Sequence, residues 1–248
     1  MSIASVLAGL ARDAGRILLP SFCMVCGSRL ESQEQFVCTK CYLDLPFTHF
    51  HGERGNVVER LFWGHLPIER ANALLFYQAE NDSRHIFFQL KYYNRPRVGR
   101  FFGRIMANDL LDTDFFDGID VIVPLPLHPH KERRRGYNQS HELARGISEV
   151  TGLPLETDAV RRVVDNPTQT HLTHQERREN VRDIFQLIQP ERLAGRHILL
   201  VDDVLTTSAT LLSCGTELAK AEGVRISILA LGLAGHHFFT AKDYVPAK

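Results

Sequence analysis

Residues 195–214 constrain this chain more than any other stretch: Gly-Arg-His-Ile-Leu-Leu-Val-Asp-Asp-Val-Leu-Thr-Thr-Ser-Ala-Thr-Leu-Leu-Ser-Cys. The run from His197 to Val201 is largely apolar and branched, the pattern of a strand buried on both faces. Two carboxylates, Asp202 and Asp203, end it abruptly. A hydroxyl-rich turn follows (Thr206, Thr207, Ser208, Ala209, Thr210), and Leu211, Leu212, Leu218 and Ala219 then repeat at helical spacing up to Gly223. This order predicts carboxylates at the carboxyl end of a strand, where open α/β sheets bind ligands. The N–H groups of the loop and the following helix N-terminus suit a phosphate, and the two Asp can accept hydrogen bonds from sugar hydroxyls. The competing account has two turn-forming Asp and a helix capped by Thr207 or Ser208. It suffices for any one residue but leaves two adjacent carboxylates beside a phosphate-sized loop unexplained.

At 248 residues, 44% hydrophobic and 23% charged, the chain can bury a full core, as one domain or one plus a small appendage. Its 29 Lys and Arg balance 29 Asp and Glu, so any polyanionic partner must be argued from local clusters. There is no apolar run of about 18 residues, so no membrane span is expected. Residues 3–19 have an amphipathic pattern interrupted by Arg12, Asp13 and Arg16, which suits a docking helix better than an export signal. A cytoplasmic protein is expected.

Cys23-Met-Val-Cys26 and Cys38-Thr-Lys-Cys41 are CxxC pairs with eleven residues between them. Two such knuckles aim four thiolates at one point, a tetrahedral zinc site, with Gly27 where a knuckle needs left-handed backbone. The rival reading is a pair of disulfides. The missing export signal and the unpaired fifth cysteine, Cys214, weigh against it. Four cysteines leave no open coordination position, so the zinc is expected to be structural and to supply folding free energy to a segment without its own core.

Residues 45–68 have weak periodicity and are expected to form a linker, with Trp63, Leu61 and Phe62 packing on the main domain. The division predicted is 1–68, helix and cysteine head with linker, and 69–248, the main domain. Residues 71–76 read as a strand, Asp82 or Ser83 as a helix cap, and Pro96 as the start of another helix. Lys91 and Arg95 between these helices are able to reach a phosphate, against the default of a solvated face. A strand at 120–123 leads into the most basic segment, a loop with His130, Lys131, Arg133, Arg134 and Arg135, before a helix starting at Asn138 or Ser140. Arg forks at that sheet edge would grip a phosphate or pyrophosphate bidentately. Strands at 161–164, 184–187 and 226–233 complete the pattern, with a polar, lid-like stretch at 165–173 and a charged helix at 175–183. Alternating β and α elements predict an α/β fold, a parallel sheet flanked by helices.

Val201 to Thr210 resembles the 5-phosphoribosyl-1-pyrophosphate (PRPP) motif of type I phosphoribosyltransferases. The resemblance implies that Asp202 and Asp203 hold the ribose hydroxyls, while Val204, Leu205, Thr206, Thr207, Ser208, Ala209 and Thr210 wrap the 5′-phosphate. That family usually has Gly where this chain has Ser208. The wider pattern is the paired CxxC, Leu90-Lys91-Tyr92, Pro124 through His128, Arg135 through Gln139, Pro167-Thr168-Gln169 with Leu172, and Arg177 with Asn180-Val181. In this order it resembles the ComF family of competence-associated proteins, which includes a gluconate-utilisation relative. Lys131 stands where Arg is expected and Asn166 where Thr is usual. The resemblance implies a zinc-ribbon head on a type I phosphoribosyltransferase fold. It also implies PRPP bound with Mg²⁺ by the acidic and Thr motif together with Lys91, Lys131, Arg133 and Arg135, and a role in DNA uptake beside a helicase-like partner.

Two functions follow. One is an enzyme transferring a phosphoribosyl group from PRPP to an unnamed acceptor, with His128 and His171 as candidate bases. The other is a non-catalytic module that senses PRPP or a nucleotide. In it Arg133, Arg134, Arg135 and the zinc head meet single-stranded DNA, and Tyr92, Tyr93 and Tyr137 either stack on bases or pack in the core.

Overall fold

The computed structural model describes residues 21–78, 80–165 and 184–235. The amphipathic stretch at 3–19, the polar stretch from Asn166 through His171 to Thr173, and the helix expected at 175–183 lie outside the described residues. Along the chain the elements are α1 (Thr39–Leu43), α2 (Val57–Arg60), β1 (Ala71–Tyr77), α3 (Arg84–Tyr92), α4 (Pro96–Asn108), β2 (Val121–Pro124), α5 (Pro129–Arg135), α6 (Gln139–Thr151), β3 (Val160–Arg162), β4 (Phe185–Leu187), β5 (His197–Leu205), α7 (Ala209–Leu218) and β6 (Arg225–Ala234).

The apolar runs pair side by side as a parallel sheet in the order β1-β6-β5-β2. Because side chains alternate across a strand, one run feeds two cores. Leu199, Val201, Ile122, Leu229 and Leu231 join the buried cluster of α4 and α6. Ile198, Leu200, Val121, Val123, Ile228 and Ala230 join Leu211, Cys214 and Leu218 of α7 on the other face. Cys214 is thus a core residue, its thiol pushed up by burial.

On the first face α4 and α6 touch backbone to backbone. A Cβ on Gly103 would run into the Leu143 carbonyl, and one on Gly146 into that of Arg100. The pair Arg100 Nε to Glu142 Oε2, at 2.5 Å, closes the crossing. This tight pairing fixes the N-terminus of α6 beside the end of β5, which matters for the site.

The expected α/β architecture is present, with four corrections in its details. First, β3 and β4 form a separate antiparallel pair. Each has three residues and fully buries only one, Val160 or Phe185, so neither can serve as a sheet-centre strand. Second, the basic segment is not a loop but the helix α5, begun by Pro129 with its preset φ and ended by Gly136 at φ 84°. Third, Ser83 makes no side-chain cap; the Asn81 Oδ1 accepts from the Ser83 N–H instead.

The fourth correction concerns residues 45–68, which are packed structure rather than a linker. Asn56 caps α2, Val58 and Phe62 are fully buried, and Glu59 pairs with the buried Arg70. Of the residues expected to pack, Phe62 is fully buried, whereas Trp63 is 59% exposed. Thr48 N–H donates to the Leu74 carbonyl and Phe76 N–H to that of Pro46, so the segment hangs on the outer edge of β1.

Candidate functional site

The carboxyl end of β5 meets three elements. By strand alternation Asp202 and Asp203 turn to opposite faces of the sheet. Asp202 is enclosed, with 7% of its surface exposed, and its Oδ1 accepts from the Ser140 hydroxyl of α6 at 3.1 Å and from the Asp203 N–H at 2.7 Å. Burial, and then the Asp203 charge, push the Asp202 carboxyl up to about 7. Asp203 is the accessible member of the pair, with Oδ2 lying 3.3 Å from Lys91 Nζ of α3. Burial works against the Lys91 ammonium, yet Asp203 and Asp202 beside it leave its pKa raised. Lys91 is therefore a fixed cation at this edge.

Beyond the acids the chain turns through Thr206 and Thr207, both exposed, into α7. Ser208 sits at the helix start with φ 56° and supplies no side-chain cap; its hydroxyl donates back to the Thr207 carbonyl at 2.6 Å. The first-turn N–H groups of α7 consequently lack the side-chain acceptor that usually covers them. A left-handed non-Gly residue costs about 1 kcal/mol. Ser208→Gly is expected to raise stability by about that amount, roughly 3 °C in a thermal melt. An unchanged or lower melting temperature would show that the Ser208–Thr207 hydrogen bond outweighs the strain.

The third element is the turn from α5 into α6. Tyr137 is buried, donates to the Leu90 carbonyl at 2.5 Å, and is pushed up to about 12 by burial. Gly136 lies against the Asn94 side chain, where a Cβ would collide. These contacts bind the turn to the end of α3 and bring Arg135 beside Lys91. Arg135 donates from one terminal nitrogen to Gln139 Oε1 at 2.9 Å. Its Nε and the Gln139 Nε2 are buried donors with no protein partner among the described residues. Buried donors are almost always satisfied, so these two orphans at the turn from α5 into α6 mark a place for an anion.

The expected basic grip is thus only partly assembled. Arg135 joins Lys91 and the acids, whereas Arg133 and Arg134 are exposed in the last turn of α5. Lys131 lies 3.7 Å from Asp165, and burial followed by the nearby Arg162 lowers its pKa. Arg162 is a site-edge residue that sequence reasoning missed. It stacks over Phe185 at 5.6 Å and has its guanidinium pKa lowered by burial, with Asp165 and Asp202 opposing. An Arg on the inward side of a short strand was the available signal. Of the candidate bases, His128 lies 3.4 Å from Asp165, and His171 is outside the described residues.

The cysteine head is a second site. The four thiols of Cys23, Cys26, Cys38 and Cys41 lie within 4.8 Å of one another, and none is in a disulfide. Cys26 and Cys38 sulfurs are 3.8 Å apart. That is the edge of a tetrahedron with zinc–sulfur bonds of about 2.3 Å, so the donor set fits the metal. Gly27 takes φ 73° as the knuckle requires, and the Cys38 N–H donates to the Cys23 sulfur at 3.3 Å. Ser28 lowers the Cys26 thiol to about 6 through hydrogen bonds to its sulfur, which favours the thiolate. Cys23, Met24, Val37 and Cys38 belong to the same buried cluster as Phe102 and Met106 of α4. Between head and helix runs a cleft of about 1110 Å³ lined by Phe22, Arg95, Arg97, Arg100 and Arg104. Tyr92 and Tyr93, 63% and 57% exposed, stand beside Arg95 rather than in the core.

No protein-family model matches the chain. The DNA utilization protein YhgH of Escherichia coli K12 is 28% identical over 212 residues, which are 84% of this chain and 88% of the relative. Competence protein F of Haemophilus influenzae is 30% identical over 150 residues, 59% of this chain and 66% of that one. Among solved structures, adenine phosphoribosyltransferase from Leishmania tarentolae aligns with a TM-score of 0.37 at 11% identity, over 73% of this chain and 89% of that one. An allosteric regulatory enzyme of purine biosynthesis aligns at the same TM-score of 0.37 and 21% identity, over 57% of this chain and 29% of the larger one. Scores this low carry nothing about the site. Among the described residues, no helix is long and apolar enough to cross a membrane.

Proposed function

Since this chain belongs to the ComF family of competence-associated proteins, we propose that it binds PRPP at the end of β5 and acts in the use of incoming DNA. The observation that carries the reading is the pair of orphaned buried donors, Arg135 Nε and Gln139 Nε2, beside Lys91 and Asp203. A pyrophosphate needs donors and cations; a ribose needs a carboxylate acceptor; a 5′-phosphate needs an uncapped helix start. All three lie at one sheet edge. Asp203 is the acceptor open to ribose hydroxyls, and Asp202 holds the turn through Ser140. Thr206, Thr207 and the N–H groups entering α7 receive the 5′-phosphate. Asp203 would be the carboxylate to hold a Mg²⁺ brought in with PRPP, and that ion would neutralise the pyrophosphate oxygens. Lys91 and Arg135 would stabilise pyrophosphate as it leaves, which is the enzymatic form of the proposal. Its test is pyrophosphate release from PRPP and Mg²⁺ with nucleobases or single-stranded DNA as acceptors. Release abolished by Lys91→Ala supports transfer. Binding without release makes the protein a PRPP-responsive module.

A specific observation also favours direct binding of single-stranded DNA. The cleft between head and α4 combines Arg95 and Arg97, both exposed, with neighbouring exposed tyrosines, the pairing of cations and stacking faces that single strands use. On this reading the nucleic-acid surface is separate from the phosphate loop, so the two ligands need not compete. The log of the association constant for a short oligonucleotide is expected to fall linearly with log salt. Arg95→Ala with Arg97→Ala should reduce that slope by about 1.4, at about 0.7 for each DNA phosphate no longer neutralised. A slope unchanged in the double variant would mean that DNA binds elsewhere. A helicase-like partner belongs to the same proposal, with the exposed Trp63 and Leu43 as apolar surface for it.

A further inference from the structure

We propose that His128, His130 and Asp165 form a second divalent-metal site, of the zinc type, distinct from the cysteine head and keeping one coordination position open. Their ligand atoms lie within 4.8 Å of one another: two imidazoles and a carboxylate, the donor mix of open transition-metal sites.

The local sequence builds the pair of histidines. His128 is the N-cap of α5, and Pro129 behind it sets the first helical φ, so His130 folds back within one turn. The two rings meet edge to face with centroids 5.1 Å apart. The His130 N–H approaches His128 Nδ1 at 3.3 Å, a long contact that a metal bound to this nitrogen would replace. The same Nδ1 faces Asp165 Oδ2 at 3.4 Å.

Distances point the same way. Asp165 Oδ2 is 3.4 Å from His128 Nδ1 and 3.5 Å from His130 Nδ1, both beyond an ordinary hydrogen bond. They match the ligand-to-ligand edge, about 3.4 Å, of a tetrahedron with metal bonds of about 2.1 Å. Among the described residues the other carboxylate oxygen, Oδ1, has no hydrogen-bond partner, and Lys131 Nζ lies 3.7 Å from it. A protein-only network of protonated histidines around an aspartate would draw these atoms to about 2.8 Å. Here they stand apart by a metal's width.

The site follows the carboxyl end of β2, the strand paired in parallel with β5, and so shares an edge with Asp203. Three protein ligands leave a fourth position for water or a phosphate oxygen, a different role from that of the closed cysteine site.

The test uses the full chain with its cysteine site already filled with zinc, titrated with Zn²⁺ by calorimetry and checked for bound metal after gel filtration. One further equivalent is expected. His130→Gln, at a side chain 68% exposed, and Asp165→Asn should each weaken that event at least tenfold, with the cysteine-bound zinc retained. Co²⁺ at the second site should give a spectrum without the thiolate charge-transfer absorption of the cysteine site. Absence of the second equivalent, or equal binding by both variants, would overturn the proposal.

Discussion

Asp202→Asn is expected to make the protein more stable above pH 7, even though it alters the motif on which the site is built. The Asp202 carboxyl is raised by burial and by Asp203 to about 7, against an unfolded value near 3.8. Between those values the native state binds a proton that the unfolded state has released. Stability is therefore fully present below about pH 4 and is lost as pH rises through about 7. A difference of that size corresponds to about 4 kcal/mol, and coupling to Asp203 and Lys91 reduces this to the order of 2 kcal/mol. Asn removes the buried charge and keeps an oxygen to accept from the Ser140 hydroxyl and the Asp203 N–H. At pH 8 the variant should melt about 5 °C higher, with the gain vanishing toward pH 4. A melting temperature that falls at pH 8, or a gain independent of pH, would mean that Asp202 is satisfied as a carboxylate. Asp203→Asn should give no such gain, since Asp203 is already paired with Lys91.

The second large effect is expected at the head. Cys38→Ser should remove one zinc equivalent and lower the melting temperature by roughly 10 °C, because metal binding is folding free energy for so small a segment. The substitution isolates the metal well. Cys38 also caps α1, its sulfur accepting from the Cys41 N–H, and serine is itself a good cap. Loss of the thiolate is then the principal change. The head is not an independent module, since Phe36 meets Phe101 of α4 edge to face with centroids 5.5 Å apart and Met24 lies in the shared core. Destabilisation should therefore spread to α4, seen as faster amide exchange across Pro96–Asn108. Full zinc content in the variant would contradict the assignment of the four cysteines.

Where sequence reading succeeded, local order specified the chemistry. β5, the acidic pair and α7 are contiguous, and alternation, turn composition and helical spacing need no distant information. The cysteine site was legible for the same reason: each CxxC is a self-contained knuckle. Long-range packing hid the rest. Asp202 and Asp203 look equivalent in the chain, and the burial of Asp202 comes from Ser140, 62 residues away, held there by the Gly103–Gly146 crossing. Phe62 and Trp63 are adjacent aromatics, and only the docking of α2 beside β1 decides which one is buried. The basic run at 130–135 read as a loop because its charges mask a Pro129 start and a Gly136 stop. Arg162 escaped notice because its partners Asp165, Asp202 and Phe185 are assembled only when β3 pairs with β4.

The most direct test of the central claim is a calorimetric titration of the zinc-loaded chain with PRPP and Mg²⁺, run beside Asp203→Asn. One saturable event per chain, weakened at least tenfold in the variant, is the result expected from a ribose held at Asp203 and phosphates held by Lys91, Arg135 and the start of α7. No heat with the native chain, or equal binding by the variant, would contradict a PRPP pocket at the end of β5.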